Sequence, residues 1–159
     1  MKFLLDKKIK IRLEIDKTYK SDFVKKVLDD LPDWFEFEEA KANYAENSKI
    51  YDTYIISENN KDLGFLMIKE TSSYAIEIYC LGVFHAHRYK GYGSLVVDEV
   101  LNLYRESYYF CQVKTLDEGL DKFYDQTIGF YKARGFMKLE TIKEIWGDDN
   151  PCMIMVKSL

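Results

Sequence analysis

A chain of 159 residues fits one domain, and at that length folding removes roughly 70% of the extended chain's surface from water, enough for a core without disulfide or metal staples. With 47% hydrophobic and 31% charged residues the composition is that of a globular domain rather than a disordered tail, and a net charge of -4 gives no broad attraction for nucleic-acid backbones. Met1 to Asp16 interleaves charged and apolar residues, so it reads neither as a signal peptide nor as a membrane span; a cytoplasmic protein with no membrane partner is expected.

Ile9, Ile11, Leu13 and Ile15 repeat with a period of two between Lys8 and Ile15, the pattern of a strand with one buried face. Phe23, Val24, Val27, Leu28 and Leu31 then fall at helical spacing from Thr18 to Leu31, and Pro32 closes the pattern. A second helix is expected from about Phe35 to Ala45. Three apolar, β-branched runs follow, Lys49 to Ser57, Leu63 to Lys69 and Tyr74 to Val83, and the short polar turns between them make an antiparallel meander. Val96, Val97, Val100, Leu101 and Tyr104 stripe a helix from Gly91 to Arg105, after which Tyr108 to Val113 returns to strand character. From Asp121 the residues Tyr124, Thr127, Ile128 and Tyr131 share a helix face that Gly135 and Phe136 cap. Met137 to Ile145 and Met153 to Val156 close the chain as strands. This order, without repeat or linker, predicts a single α+β domain over residues 1–159. Cys80, Cys111 and Cys152 are odd in number, widely spaced and set in apolar runs, so they read as reduced core residues.

Between the third run and its helix stands Arg88-Tyr89-Lys90-Gly91-Tyr92-Gly93. A helix N-terminus presents unpaired N–H groups and about half a positive charge, and glycines let a phosphate approach that backbone. The dinucleotide-binding Gly-x-Gly-x-x-Gly fails because position 96 is Val, and no Gly-Lys-Ser/Thr follows for a P-loop. Taken alone, the two glycines fit a tight strand-to-helix turn equally well.

The longer stretch Val83-Phe84-His85-Ala86-His87-Arg88-Tyr89-Lys90-Gly91-Tyr92-Gly93 resembles the Val-x-Pro-x-x-Arg-x-x-Gly-x-Gly motif of the GNAT superfamily of N-acetyltransferases, with His85 in place of the usual proline. Phe130-Tyr131-Lys132-Ala133-Arg134-Gly135-Phe136 resembles that superfamily's Phe-Tyr-x-x-x-Gly-Phe helix end. The resemblance implies a GNAT-like domain with a central, mostly antiparallel mixed sheet flanked by about four helices. It implies acetyl-CoA as cosubstrate and no metal. The pyrophosphate would lie on the main chain of Arg88, Tyr89, Lys90, Gly91, Tyr92, Gly93 and Ser94, where the side chains of Tyr89 and Tyr92 should matter little. The pantetheine arm would run beside Leu81, Gly82 and Val83. Independently, Gly82 inside a strand marks a bulge or a close backbone approach.

An alkyl ammonium is not nucleophilic, so amine acetylation needs a proton acceptor beside the thioester. Glu77 lies eleven residues before Arg88, the offset that carries the general base in histone-acetylating members of the family; the alternative is a solvent-facing strand residue. Tyr131, four residues before Gly135, stands where the family places the proton donor to the departing thiolate, the alternative being plain packing. Trp34, Phe35 and Glu36 fall in the segment that shapes the family's acceptor pocket, and aromatics beside carboxylates suit a cationic amine; an amphipathic helix start explains them too. His85 and His87 lack any Cys/His/carboxylate cluster to complete a metal site. Tyr124 stands where the family often has asparagine, a departure that bears on the coenzyme contacts of that helix. The expected reaction is acetyl transfer to a primary amine of a small molecule or peptide by direct attack in a ternary complex. A protein N-terminal or lysine acetyltransferase and a non-catalytic acyl-CoA-binding module are the competing readings, and either a monomer or a homodimer is compatible with the sequence.

Overall fold

The computed structural model of the chain describes residues 8–159. Its elements follow the order β1 (Ile9–Leu13), α1 (Lys17–Asp29), α2 (Glu38–Asn47), β2 (Asp52–Glu58), β3 (Lys61–Glu70), β4 (Ala75–Val83), a 3-10 turn (His85–His87), α3 (Tyr92–Tyr104), β5 (Phe110–Leu116), α4 (Lys122–Ala133), β6 (Met137–Ile142), the short α5 (Lys143–Trp146) and β7 (Cys152–Ser158). The seven strands hydrogen-bond in the order β1-β2-β3-β4-β5-β7-β6. Ladders β1/β2, β2/β3, β5/β7 and β6/β7 are antiparallel, whereas β4 pairs in parallel with β5 over Ala75–Ile78 against Phe110–Val113. The α+β class and the mixed, mostly antiparallel sheet are as the sequence leads one to expect. Among the described residues no helix is long and apolar enough to cross a membrane.

Two compact units divide the chain: residues up to Ile68 with Cys80–Val97, and Lys69–Tyr79 with Asp98–Leu159. In the first, Phe23, Val24, Val27 and Leu28 of α1 are buried, with Ile55, Ile56, Phe65, Leu66 and Met67 of the strands. The Asp16 carboxylate caps α1 by accepting the Tyr19 N–H at 2.9 Å. Arg12 on β1 forks onto both oxygens of Asp62 on β3, at 2.8 and 2.9 Å, and Tyr19 donates its hydroxyl to the same carboxylate. Those hydrogen bonds hold Asp62 below the usual carboxylate range. Lys41 and Lys25 share Asp29 and Glu38, tying α2 to the last turn of α1.

The second unit packs Ile76 and Ile78 of β4, Cys111 and Val113 of β5, Ile128 and Tyr131 of α4, Phe136, and Met153 and Met155 of β7. Asp121 caps α4 by accepting the N–H groups of Phe123 and Tyr124. Gly135, at φ +96°, ends that helix, and Lys157 donates to the Arg134 carbonyl at 2.7 Å, a cation at the negative helix end. On the outer strand β6 the register slips between Lys138 and Glu140, which leaves Leu139 as a bulge. The three cysteines are free and buried, as expected.

Several boundaries differ from the sequence expectation, β2 opening at Asp52 rather than Lys49 and β5 running to Leu116 rather than Val113 among them, and two of the differences show their cause. The second helix begins at Glu38, not Phe35, because the N–H groups of Trp34 and Phe35 both turn back onto the Leu31 carbonyl. The penultimate strand stops at Ile142, and residues up to Trp146 wind into one short helical turn ended by Gly147 at φ +93°.

The close approach expected at Gly82 is present: an added Cβ would stand 2.9 Å from Val27 Cγ1 and 3.2 Å from a Phe65 ring carbon. Facing it, a Cβ on Gly64 would stand 2.5 Å from the Gly82 carbonyl oxygen. A side chain can yield and a backbone oxygen cannot. Gly64→Ala should therefore cost about 3 kcal/mol and Gly82→Ala about 1 kcal/mol, read from urea unfolding midpoints; equal losses would show that the backbone approach does not set the limit.

Candidate active site

β4 runs into Phe84, whose N–H donates to the Leu63 carbonyl at 2.9 Å, and the chain then makes its 3-10 turn through His85 and His87. Tyr89 at φ +60° and Gly91 at φ +90° reverse its direction, and α3 starts at Tyr92. Nothing lies within 4 Å of where a Gly91 side chain would be. The first N–H groups of an α-helix have no intrahelical acceptor, so the turn ends in backbone donors beside the open space at Gly91.

Side chains moor this turn. The His85 N–H donates to the Asp30 carboxylate at 2.8 Å, the Arg88 guanidinium carbon sits 3.8 Å from the Trp34 ring centroid, and the Tyr92 hydroxyl donates to Glu58 at 2.7 Å. Tyr92 is buried and bonded through its hydroxyl, so its side chain has a structural part that the sequence expectation leaves out; Tyr89 is exposed, its ring centroid 4.9 Å from the Arg88 guanidinium carbon. His87 stacks edge-on to Tyr92. Burial, with Lys61 and Lys90 nearby, lowers its pKa below the usual imidazole value, against a smaller opposing pull from Glu58.

Glu77 is 3% exposed, so a solvent-facing strand residue is ruled out. Its Oε1 accepts from Gln112 Nε2 at 2.8 Å and lies 3.2 Å from Lys114 Nζ, both on β5. Neither partner was identified from the sequence, because the parallel register that sets Glu77 against Gln112 is a tertiary fact. Tyr131 is 4% exposed, its ring edge-on to Phe130 and Phe136 at 5.2 and 5.4 Å.

The segment expected to meet the acceptor divides. Trp34 lies under Arg88 and Phe35 packs edge-on to Tyr44 at 5.8 Å, while Glu36 and Phe37 are exposed. Two open clefts, of about 570 and 420 Å³, are lined by Lys10, Arg12 and Asp62 among others and by the 105–110 stretch with the C-terminal residues; neither contains a predicted site residue. Burial pushes the Cys111 thiol up to about 12 and the Cys152 thiol up to about 11, and raises that of Cys80 as well, so none is a nucleophile near neutral pH. Among the described residues no group of three or more His, Cys, Asp or Glu could hold a metal ion.

The family model described as an acetyltransferase (GNAT) domain matches residues 49–138. No curated protein matches the chain by sequence. Among solved structures the chain is similar to a GNAT-family protein of Desulfovibrio desulfuricans, with a TM-score of 0.79, 16% identity, and coverage of 94% of this chain and 98% of that one. It is also similar to an aminoglycoside 6'-N-acetyltransferase in complex with coenzyme A, at a TM-score of 0.72, 16% identity, 94% of this chain and 96% of the other. A third similar structure is the ribosomal-protein-alanine N-acetyltransferase of Escherichia coli, at a TM-score of 0.71, 12% identity, 94% and 93%.

The ion pair at Glu77 yields a test of its own. Removing one member of an ion pair strands the other, at a cost set by how buried the stranded group is. Lys114→Met strands a carboxylate side chain that is 4% exposed but still accepts from Gln112, and should lower unfolding free energy by about 2 kcal/mol, whereas the Lys114 ammonium left by a change at Glu77 is one-third exposed and water can solvate it. Glu77→Gln, which keeps an acceptor for Gln112, should cost under about 1 kcal/mol. Denaturant titration of both variants checks the order.

Proposed function

Because the chain belongs to the GNAT family of acetyltransferases, we propose that it moves the acetyl group of acetyl-CoA to a primary amine of a small molecule or peptide by direct attack in a ternary complex. The observation that carries this reading is the turn from Tyr89 to Gly91, two left-handed residues with an open flank opening directly into the 13-residue α3. Such a backbone suits a pyrophosphate, whose charge the helix N-terminus favours. The residues from Arg88 to Ser94 would hold it. Leu81–Val83 lie beyond the part of β4 that pairs with β5, which supports a role for their backbone groups along the pantetheine arm.

The bound cosubstrate supplies an activated thioester. Glu77 takes the proton lost by the amine, directly or through water, as the new N–C bond forms; Gln112 and Lys114 hold its Oε1 in one orientation. Backbone N–H groups near Leu81 and Gly82 meet the charge developing on the carbonyl oxygen, an interaction worth roughly 3 kcal/mol in acyl transfer. Tyr131 gives its phenolic proton to the sulfur as the C–S bond breaks. The acceptor approaches from the segment at Glu36 and Phe37, where a carboxylate and an aromatic ring are exposed. The named neighbours act on both kinds of acceptor, an aminoglycoside and a protein alanine. A cytoplasmic setting, where acetyl-CoA is made, fits this chemistry.

A second reading, an acyl-CoA-binding module without turnover, draws on the packed ring of Tyr131 and the ion-paired carboxylate of Glu77. A panel of amines assayed for free thiol separates the two. Amine-dependent thiol release is expected, together with a rise in melting temperature on adding acetyl-CoA. Tyr131→Phe should lower kcat on the order of 10²-fold while leaving acetyl-CoA affinity close to that of the parent. Binding without thiol release from any amine would favour the module, and no binding at millimolar acetyl-CoA would sink both.

A further inference from the structure

Two of the contacts that moor the turn come from one short segment. His85 stands where the family motif carries proline, and it is the backbone N–H of His85 that the Asp30 carboxylate accepts at 2.8 Å. A proline there would have no N–H to give. Four residues past Asp30, Trp34 presents its ring to Arg88 at 3.8 Å, well inside the range in which an aromatic face attracts a cation. The segment itself is fixed at its root: the Asp30 N–H donates to carbonyls of the last turn of α1, and the Trp34 N–H to that of Leu31.

We propose that Asp30–Trp34 is a latch on the coenzyme turn, so that Asp30 and Trp34 are positioning residues for the coenzyme pyrophosphate, acting through His85 and Arg88, and not contacts to the acceptor. This rests on the reading of the turn as the coenzyme site. Tyr89 holds a left-handed conformation that costs a non-glycine residue energy and that surrounding contacts must hold, while Gly91 adopts its own freely. If the binding-competent arrangement is populated only in part, the apparent dissociation constant rises by the inverse of that fraction. The latch raises the fraction. Arg88, engaged with the indole, serves the site by this route rather than as an independent phosphate ligand.

Calorimetric titration with acetyl-CoA tests the proposal on the parent, Trp34→Ala, Trp34→Phe, Arg88→Met, the Trp34→Ala/Arg88→Met pair, and His85→Pro. The dissociation constant should rise about 5-fold for Trp34→Ala and at least as much for Arg88→Met, which also loses the Tyr89 ring at 4.9 Å, and the pair should be no weaker than Arg88→Met alone, since that variant already removes the Trp34 contact. Trp34→Phe, which keeps an aromatic face, should recover most of the affinity, and His85→Pro should weaken binding on its own. In kinetics the KM for acetyl-CoA should rise while that for the amine does not. Should Trp34→Ala fail to melt cooperatively, Trp34→Phe and Arg88→Met carry the comparison. Unchanged acetyl-CoA binding in Arg88→Met, additive losses in the pair, or a raised amine KM with normal acetyl-CoA affinity in Trp34→Phe would each overturn the latch. A parent that binds no acetyl-CoA would instead overturn the functional reading beneath it.

Discussion

At Gly64 and Gly82 the backbones of β3 and β4 approach so closely that a single added carbon would meet a carbonyl oxygen at 2.5 Å. Much of the first unit depends on that lack of room. With no side chain at Gly82, Val27 of α1, Leu31 just past that helix and Phe65 of β3 close in on the space a Cβ would fill there. Because α1 sits there, its C-terminal cap Asp30 is placed to accept from His85, and the chain that follows it places Trp34 beneath Arg88. A packing constraint between two glycines thus fixes where a turn of positive-φ residues begins and what holds it. The link runs from sequence, through strand spacing, to the orientation of the α3 N-terminus.

In the second unit the organising contact is polar. Glu77 lies on a stretch of β4 buried on both faces, Ile76 and Ile78 on one and the carboxylate itself on the other. A carboxylate buried there loses its hydration and needs partners in exchange, and Lys114 and Gln112 supply them from the neighbouring strand. The parallel register of β4 and β5 is therefore tied to the chemistry: shifting it by one residue would set a hydrophobic side chain opposite Glu77.

Periodicity made the order of elements legible, because strands with one buried face and amphipathic helices leave repeats of two and of 3.6 that survive without knowledge of the fold. The turn and the helix end were legible for a different reason: Gly91 and Gly135 stand at positive φ, where backbone geometry narrows the choice of residue. What escaped was decided by particular contacts, near and far in sequence, that periodicity does not encode. The acids and aromatics from Phe35 to Glu39 have helical spacing, yet the Leu31 carbonyl captures two successive N–H groups and delays the helix to Glu38. Alternation told that Glu77 faces away from Ile76 and Ile78, but not that its own face is covered. Tyr92 looked like a helix-start residue of no account until Glu58, distant in sequence, accepted its hydroxyl.

The bulge at Leu139 bears on the protein's fate in a crowded solution. β6 is an outer strand of the sheet, with Met137 and Leu139 exposed on it, and such an edge is a template onto which a foreign strand can add. The extra residue at Leu139 breaks the even spacing of the strand and increases its twist, and Lys138 and Glu140 flank it with charge. An incoming strand would meet donors and acceptors out of step and would have to bury ionised side chains. The irregularity makes this apolar margin a poor template for strand addition.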